Sequence, residues 1–495
     1  MKEQVKTIFS IPFQPLELSA YISPEGPVCE WSGRKFYRKM ATIQDLEDYF
    51  ALGFRYLYVE AAGSHAYWEK EVRQSNEDKT DLMYILDLAV EYEKIHGVGS
   101  CPCLILDSNV LAAQSHWIEF TDEVKADIKR LYLQLKANYP TVFAGYMLRD
   151  EPYLWFLPYF VEVYDYLYNE LGAKDLVYLW SFHPAGGASF PHDSSSIYIS
   201  MMQFDNGKID VTGYQEFLKN NDYGITEANY MAEYTYYLDS YARAFREKGI
   251  ENVLFGCDFY PYREVEELLC YNYPACLNTI ALIVKRYGYK MFLAIQSYFA
   301  NPSPMTPLTT SKFLYQQAYV ALAFGVRHLS YFTYLEHFSQ NNNWVFEKAM
   351  VMWKETNGKW TTEKTEYYDW VKELNAELLM QYSKLTAFDW VGTIVKKGAN
   401  LGVLEKQQYL PAYVDENLTV LENDEDVIVG CLENKDTGIK AYLLVNFSYP
   451  LSNAKTKIRF SYIGTLYDEN ECVISNSGEY IIDIPCGGAK MVFVK

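Results

Sequence analysis

The sequence predicts an α/β architecture, a (β/α)8 TIM barrel over residues 1–385 followed by a small all-β sandwich over residues 386–495. Three observations predict it. At 495 residues the chain exceeds one ordinary core and calls for a barrel plus an accessory domain. Over roughly the first 380 residues, short β-rich apolar runs alternate with amphipathic helical stretches, the pattern of parallel strands joined by crossover helices. After about residue 385 the helical period gives way to period-two alternation.

Eight runs supply the barrel strands, at residues 18–23, 55–61, 101–107, 142–150, 176–183, 253–260, 291–298 and 328–334. Between them, Thr42-Ile43-Gln44-Asp45 opens a capped helix with Leu46, Tyr49 and Phe50 on its apolar face. Thr121-Asp122-Glu123 opens another, whose stripe of Ile128, Leu131 and Leu135 runs to Pro140. Residues 231–248 form a Tyr-rich helix ended by Gly249, and residues 311–324 one ended by Gly325. Residues 185–229 exceed a simple crossover. Their Gly186-Gly187, the serines at 194–196 and an extra strand at 197–204 predict an excursion after the fifth strand, either decorative or carrying substrate contacts. A helical stretch at 361–384, with Tyr367, Trp370 and Leu374, closes the barrel. Beyond it, residues 391–395, 400–403, 427–433, 439–446, 455–460 and 489–494 read as short strands between turn residues, the pattern of a sandwich.

The formal charge of −20 excludes nucleic acid and anionic membrane surfaces as partners, since both require clustered Lys and Arg. No apolar run is long enough to span a bilayer, and none near Met1 has signal-peptide length, so the chain is expected to be cytoplasmic. Nine cysteines form an odd set without disulfide spacing, and Cys101-Pro102-Cys103 is one residue short of a thioredoxin-like motif. Seven scattered histidines suggest no metal site, and no cofactor motif is present. The 46 tyrosines fit either a sugar site, which uses aromatic faces and hydroxyls, or the packing of a large barrel.

In a barrel of this kind chemistry sits at the carboxyl ends of the strands. That ring holds Glu60, Asp107, Asp150-Glu151, His183, Asp258 with Tyr260 and Tyr262, Gln296 with Tyr298, and Tyr334 with Glu336. A mouth dense in carboxylates, without Ser-His-Asp order or a phosphate-cradling loop, suits acid/base chemistry on a glycosidic bond. The segment Arg149-Asp150-Glu151-Pro152 is its strongest element. The competing reading makes Asp150 a helix N-cap with Pro152 in the first turn.

With Asp258-Phe259-Tyr260-Pro261, Ile295-Gln296-Ser297-Tyr298, Tyr331-Phe332-Thr333-Tyr334, the Gln316–Gly325 helix and Tyr442-Leu443-Leu444-Val445-Asn446, this segment resembles bacterial barrel glycosidases over nearly the whole chain. In the large clan of retaining enzymes an acid/base Glu ends strand four and a nucleophile Glu ends strand seven. Glu151 matches the first, but Asp150 replaces the usual Asn, and Gln296 cannot form a glycosyl ester. The Asp-Glu-Pro is similar instead to hexosaminidases and family-123 β-N-acetylgalactosaminidases, in which the substrate's 2-acetamido oxygen attacks the anomeric carbon. That resemblance implies a retaining, substrate-assisted hydrolase of a glycoside or oligosaccharide. Glu151 would be its general acid/base and Asp150 the group that orients the amide. Tyr260 or Tyr262 would meet the acetamido carbonyl, and Trp180 would wall the pocket.

Two alternatives stay open at this point. One is an inverting or Asp258-dependent glycosidase, with the carboxyl separation deciding between inversion and retention. The other is a carbohydrate-binding barrel without hydrolysis, consistent with Gln296. Glu60 pairs with Arg149 or contacts sugar, and His183, Gln296, Tyr298 and Tyr334 complete the expected substrate contacts. The trailing sandwich is expected to support the barrel. Adjacent strand residues point to opposite faces, so Asp150 and Glu151 share the mouth only if the strand breaks before Pro152.

Overall fold

The first strand of the barrel, Glu17–Ile22 (β1), pairs in parallel with both the second strand and the last, which closes the sheet on itself. The computed structural model of the chain describes residues 6–22, 28–31, 34–37, 42–60, 81–106, 120–147, 150–152, 154–184, 211–226, 229–263, 268–269, 272–301, 307–336, 345–357, 359–407 and 409–495. The remaining barrel strands are Tyr56–Glu60 (β2), Cys103–Leu106 (β3), Phe143–Met147 (β4), Val177–Phe182 (β5), Val253–Phe259 (β6), Lys290–Gln296 (β7) and His328–Phe332 (β8). Neighbours in space are neighbours in sequence around the whole ring. Six of the eight expected runs contain their strand, and β1 and β7 begin one residue before theirs, at Glu17 and Lys290.

A helix follows each strand: Ile43–Phe50 (α1), Asp81–His96 (α2), Asp122–Asn138 (α3), Leu157–Asp165 (α4), Tyr230–Glu247 (α5), Tyr273–Tyr287 (α6), Lys312–Ala323 (α7) and Glu366–Met380 (α8). The polar residues that precede them explain several starts. Thr42 accepts from the Asp45 N–H while the Asp45 carboxylate accepts from Thr42, and Thr121 and Asn229 cap α3 and α5 in the same manner. The expected excursion contributes a helix, Val211–Lys219; its extra strand at 197–204 lies outside the described residues.

Both faces of the barrel sheet are apolar, because one faces the interior and the other the helices. Tyr21, Tyr58, Leu104, Met147, Leu179, Leu254 and Phe292 form the interior cluster. Leu18, Leu57, Ile105, Trp180, Phe255 and Leu293 belong to the cluster shared with the helices. At Gly256 a Cβ would fall 1.7 Å from the Phe292 carbonyl oxygen, so β6 and β7 approach closely only because that residue is glycine.

The amino-terminal end of the barrel holds a buried polar knot. His328 Nε2 lies 2.7 Å from Ser19 Oγ, which donates to Ser330 Oγ at 3.1 Å. Glu17 lies 2.9 Å from Lys290 and 3.2 Å from Arg55, and its Oε2 is 3.5 Å from His328 Nδ1.

The stretch expected to be helical over 361–384 begins instead as the second strand of a hairpin, Val351–Thr356 with Lys359–Lys364, and α8 starts only after Thr365 caps it. After it come two antiparallel sheets. One has six strands and the other three, Leu418–Asn423, Thr456–Tyr462 and Glu479–Ile484. Residues 400–403, expected as a strand, form a bend leading into a 3-10 turn at Val403–Lys406.

In the six-stranded sheet, alternation sorts side chains to two different cores. Val427, Val429 and Cys431 join Ile458 and Phe460 of the smaller sheet in one apolar cluster. Ile428, Leu432, Leu443 and Val445 belong to the cluster of the barrel helices. Between them, Gly430 lies so close to α7 that a Cβ would sit 2.5 Å from Ala323 Cα.

Candidate active site

The segment after β4 departs from regular structure at Glu151. Glu151 has φ +45°, in the left-handed region that non-glycine residues rarely occupy and that costs roughly 1–3 kcal/mol. It is held there from two sides. Its N–H donates to the Ser181 carbonyl at 2.9 Å, and the Pro152 carbonyl accepts the Tyr237 hydroxyl from α5. The capping alternative is not what forms, since the N-cap of α4 is Phe156, with no side-chain cap. The break in strand geometry removes the objection that neighbouring residues must face apart. The charge of Asp150 acts on Tyr21 and Tyr260, and that of Glu151 on Asp258, so both carboxylates bear on the mouth.

Asp258 projects inward from β6, on the same face as Leu254. Its carboxyl accepts from the Ser181 hydroxyl at a long 3.4 Å and from the Tyr260 hydroxyl. Among the described residues no salt bridge reaches it. Burial, followed by the Glu151 charge, pushes its pKa up to about 8, outweighing those two donors. Asp258 therefore holds its proton at neutrality. His183, which follows β5, is buried, and its Nδ1 lies 3.2 Å from Glu151 Oε2.

Aromatic rings line this inner end. Tyr21 and Tyr58 stand with ring centroids 4.2 Å apart, and Tyr260 packs on Tyr298 and Phe332. Burial, then the neighbouring tyrosine and carboxylates, raises the Tyr21 phenol well above its ordinary value, so it stays a neutral donor. Gln296 ends β7 fully buried, with Nε2 donating to the Tyr298 carbonyl at 3.1 Å and its N–H to Gln317 Oε1 at 3.0 Å.

The structure thus brings Asp150, Glu151, His183, Asp258 and Tyr260 together, with Gln296 and Tyr298 adjoining. Glu60 ends β2, but its side chain lies outside the described residues, as do Asp107 and Arg149.

Three expected contacts are elsewhere, each for a packing reason. Trp180 does not wall the mouth. Its ring points outward between barrel and helices, against Phe160, Tyr164 and Phe245. The Tyr262 hydroxyl donates to Gln316 Oε1 at 2.8 Å, and Gln316 in turn donates to the Asn446 and Ser448 carbonyls, so Tyr262 belongs to the seam with the C-terminal sheets. Tyr334 turns to α1, donating to the Asp45 carbonyl at 3.2 Å. Glu336 accepts the Trp353 N–H at 2.8 Å, and burial pushes its pKa up to about 7. Ser181, Tyr21 and Tyr58 were not anticipated, although they share the inward parity of the expected strand residues. Among the described residues no group of His, Cys, Asp and Glu could hold a metal ion, and no helix is long and apolar enough to cross a membrane.

No protein-family model matches the sequence, and no curated protein does. Solved structures share its general course at low similarity. SrfJ from Salmonella typhimurium is 10% identical, with 98% of this chain and 90% of that one covered at a TM-score of 0.44. A β-glucosidase from Exiguobacterium marinum is 10% identical over 73% of this chain and 99% of its own, with a TM-score of 0.43. The endo-β-1,4-mannanase from Thermotoga petrophila is 10% identical over 95% and 97%, with a TM-score of 0.40. The barrel itself rests on its own closed ring of parallel strand pairs.

Proposed function

We propose that this chain is a glycoside hydrolase acting at the carboxyl end of its barrel, with Glu151 as general acid/base. The observation that carries the reading is the pinned, left-handed Glu151, partly exposed at the mouth with its carboxylate 3.2 Å from the buried His183 ring. Carboxyl groups with separated protonation states are what cleavage of an acetal requires: one gives a proton to the leaving oxygen while another stabilises positive charge at the anomeric carbon. Glu151, partly exposed and next to His183, is accessible to a leaving group. Asp150, bearing on Tyr21 and Tyr260, would orient a 2-acetamido group whose oxygen attacks the anomeric carbon. This mechanism needs no protein nucleophile, which agrees with Gln296 at the end of β7. The division into a barrel over 1–385 and a supporting β region over 386–495 belongs to the same reading.

A second assignment is favoured by the proton on Asp258. It makes Asp258 the acid and Glu151 its partner carboxyl, and it argues against Asp258 as a nucleophile at neutral pH. Turnover of aryl glycosides with and without a 2-acetamido group, by the parent, Glu151→Gln and Asp258→Asn, tests both. The first assignment expects acetamido substrates to be preferred. It also expects Glu151→Gln to regain rate on substrates whose aryl leaving group needs no proton. Recovery by Asp258→Asn alone would transfer the acid role, and absence of turnover across the panel would remove the hydrolase reading.

A further inference from the structure

Beyond this function, the amino-terminal end of the barrel carries a cleft of about 550 Å³ between α6, the turns that enter β7 and β8, and the chain around Trp390. Its charge is opposite to that of the molecule. Lys285, Lys290, Arg327 and Lys435 line it against a single carboxylate, Asp389, in a chain of formal charge −20. Two of the four cations are already neutralised, Lys290 by Glu17 at 2.9 Å and Lys435 by Asp389 at 3.3 Å. The other two have no carboxylate within salt-bridge reach among the described residues. Arg327 donates to the Val326 and Phe388 carbonyls at 3.1 and 2.9 Å, and Lys285 donates to the Val391 carbonyl at 3.1 Å. Lys285 also stands over the Trp390 ring at 5.6 Å, and Asp389 acts on both cations from a distance, so their charge is compensated only in part. Burial draws Arg327 down to about 10, and burial followed by the charge of Lys435 lowers Lys285, so both pay for their position. The rest of the lining includes the apolar Ala281, Val284, Met291 and Phe324 and the Trp390 ring under Lys285.

We infer that this cleft binds a small organic anion, its phosphoryl or carboxylate group taken by Arg327 and Lys285 and its body packed on the apolar lining beside Trp390. The volume suits a single-ring molecule. A half-buried guanidinium and an exposed ammonium that share one distant carboxylate keep donors for such an acid.

The test is calorimetric titration of the full chain at constant ionic strength with glucose 6-phosphate, glucuronate, inorganic phosphate and, as the neutral control, glucose. Saturable binding of at least one of the two organic acids is expected, phosphate should bind more weakly, and glucose should show none. The phosphate and carboxylate arms separate the two acid sources. Lys285→Gln should weaken binding about tenfold, the usual effect of losing one charge-assisted contact. Arg327 also ties two backbone carbonyls, so Lys435→Gln serves as the second variant. It frees Asp389 in the cleft and should weaken binding too, with the fold checked by circular dichroism. No saturable binding of either organic acid, or binding unchanged in both variants, overturns the site. Phosphate binding as tightly as the organic acids overturns the role of the apolar lining.

Discussion

The two ends of the barrel bury polar clusters of similar make-up and opposite balance. At the amino-terminal end Glu17 meets Lys290, Arg55 and His328, and although burial alone would raise its pKa, His328 and Lys290 bring it down to about 2. At the mouth, burial and the Glu151 charge push Asp258 up to about 8. The same interior therefore stabilises a carboxylate at one end and refuses it at the other. Burial raises both, more strongly at Asp258, and only Glu17 has the cations that outweigh it. A buried acid with its counter-charge is a structural joint, whereas one denied it is held ready to exchange a proton.

The sharpest way to break this contrast is a reciprocal pair of substitutions. Glu151→Gln should reduce turnover of the best glycoside by about 10²–10⁴-fold, the usual weight of one acid/base group, with little change in denaturation midpoint. Glu17→Gln should do the reverse, leaving turnover near the parent value and lowering stability by about 3 kcal/mol in urea denaturation at neutral pH. Equal losses of turnover in both variants would erase the distinction between the ends. The stability gap for Glu17 is present above its ordinary value of 4.5 and should close as pH falls through about 2.

Asp258 should show the opposite sign. Its folded-state pKa is raised, so its contribution is full below 3.8 and is lost as pH rises through about 8. Relative to the parent, Asp258→Asn should therefore gain stability across that window. Melting temperatures that run parallel in the two proteins from pH 4 to 8 would contradict the raised pKa. The smallest effect is expected at His183. His183→Gln should lower kcat/KM by only about tenfold, below the usual weight of an acid/base group, because the ring, 3.2 Å from the Glu151 carboxylate, positions it. An unchanged kcat/KM would reduce His183 to a packing role.

Much of this was legible in the residue pattern. The alternating runs located all eight barrel strands, and the ring of residues at their ends included Glu151, His183 and Asp258. Trp180 was misplaced because the suitability of an indole for sugars was weighed above parity. His183 and Ser181 share a face, so Trp180 must point the other way, toward the aromatics of α4 and α5. Tyr262 and Tyr334 lie beyond the ends of their strands, where parity no longer governs direction. In the C-terminal region Leu418–Asn423 and Glu479–Ile484 escape the period-two pattern because a register shift after Val420 and an exposed Ile481 put apolar residues out of step. The left-handed turn at Glu151 had no signal of its own, since neither glycine nor asparagine marks it.

The contact of Gly430 with Ala323 bears on how such a chain can be inherited or engineered. The six-stranded sheet offers apolar side chains to two partners at once, and one of them is the helix that delivers the chain to β8. A recombination joint placed at residue 385 would strip α7 of its cover and leave the sheet with a greasy outer face. The region behind the barrel is accordingly not a cassette to be exchanged for another. It travels with this barrel, and any graft onto the barrel has to carry the sheet along.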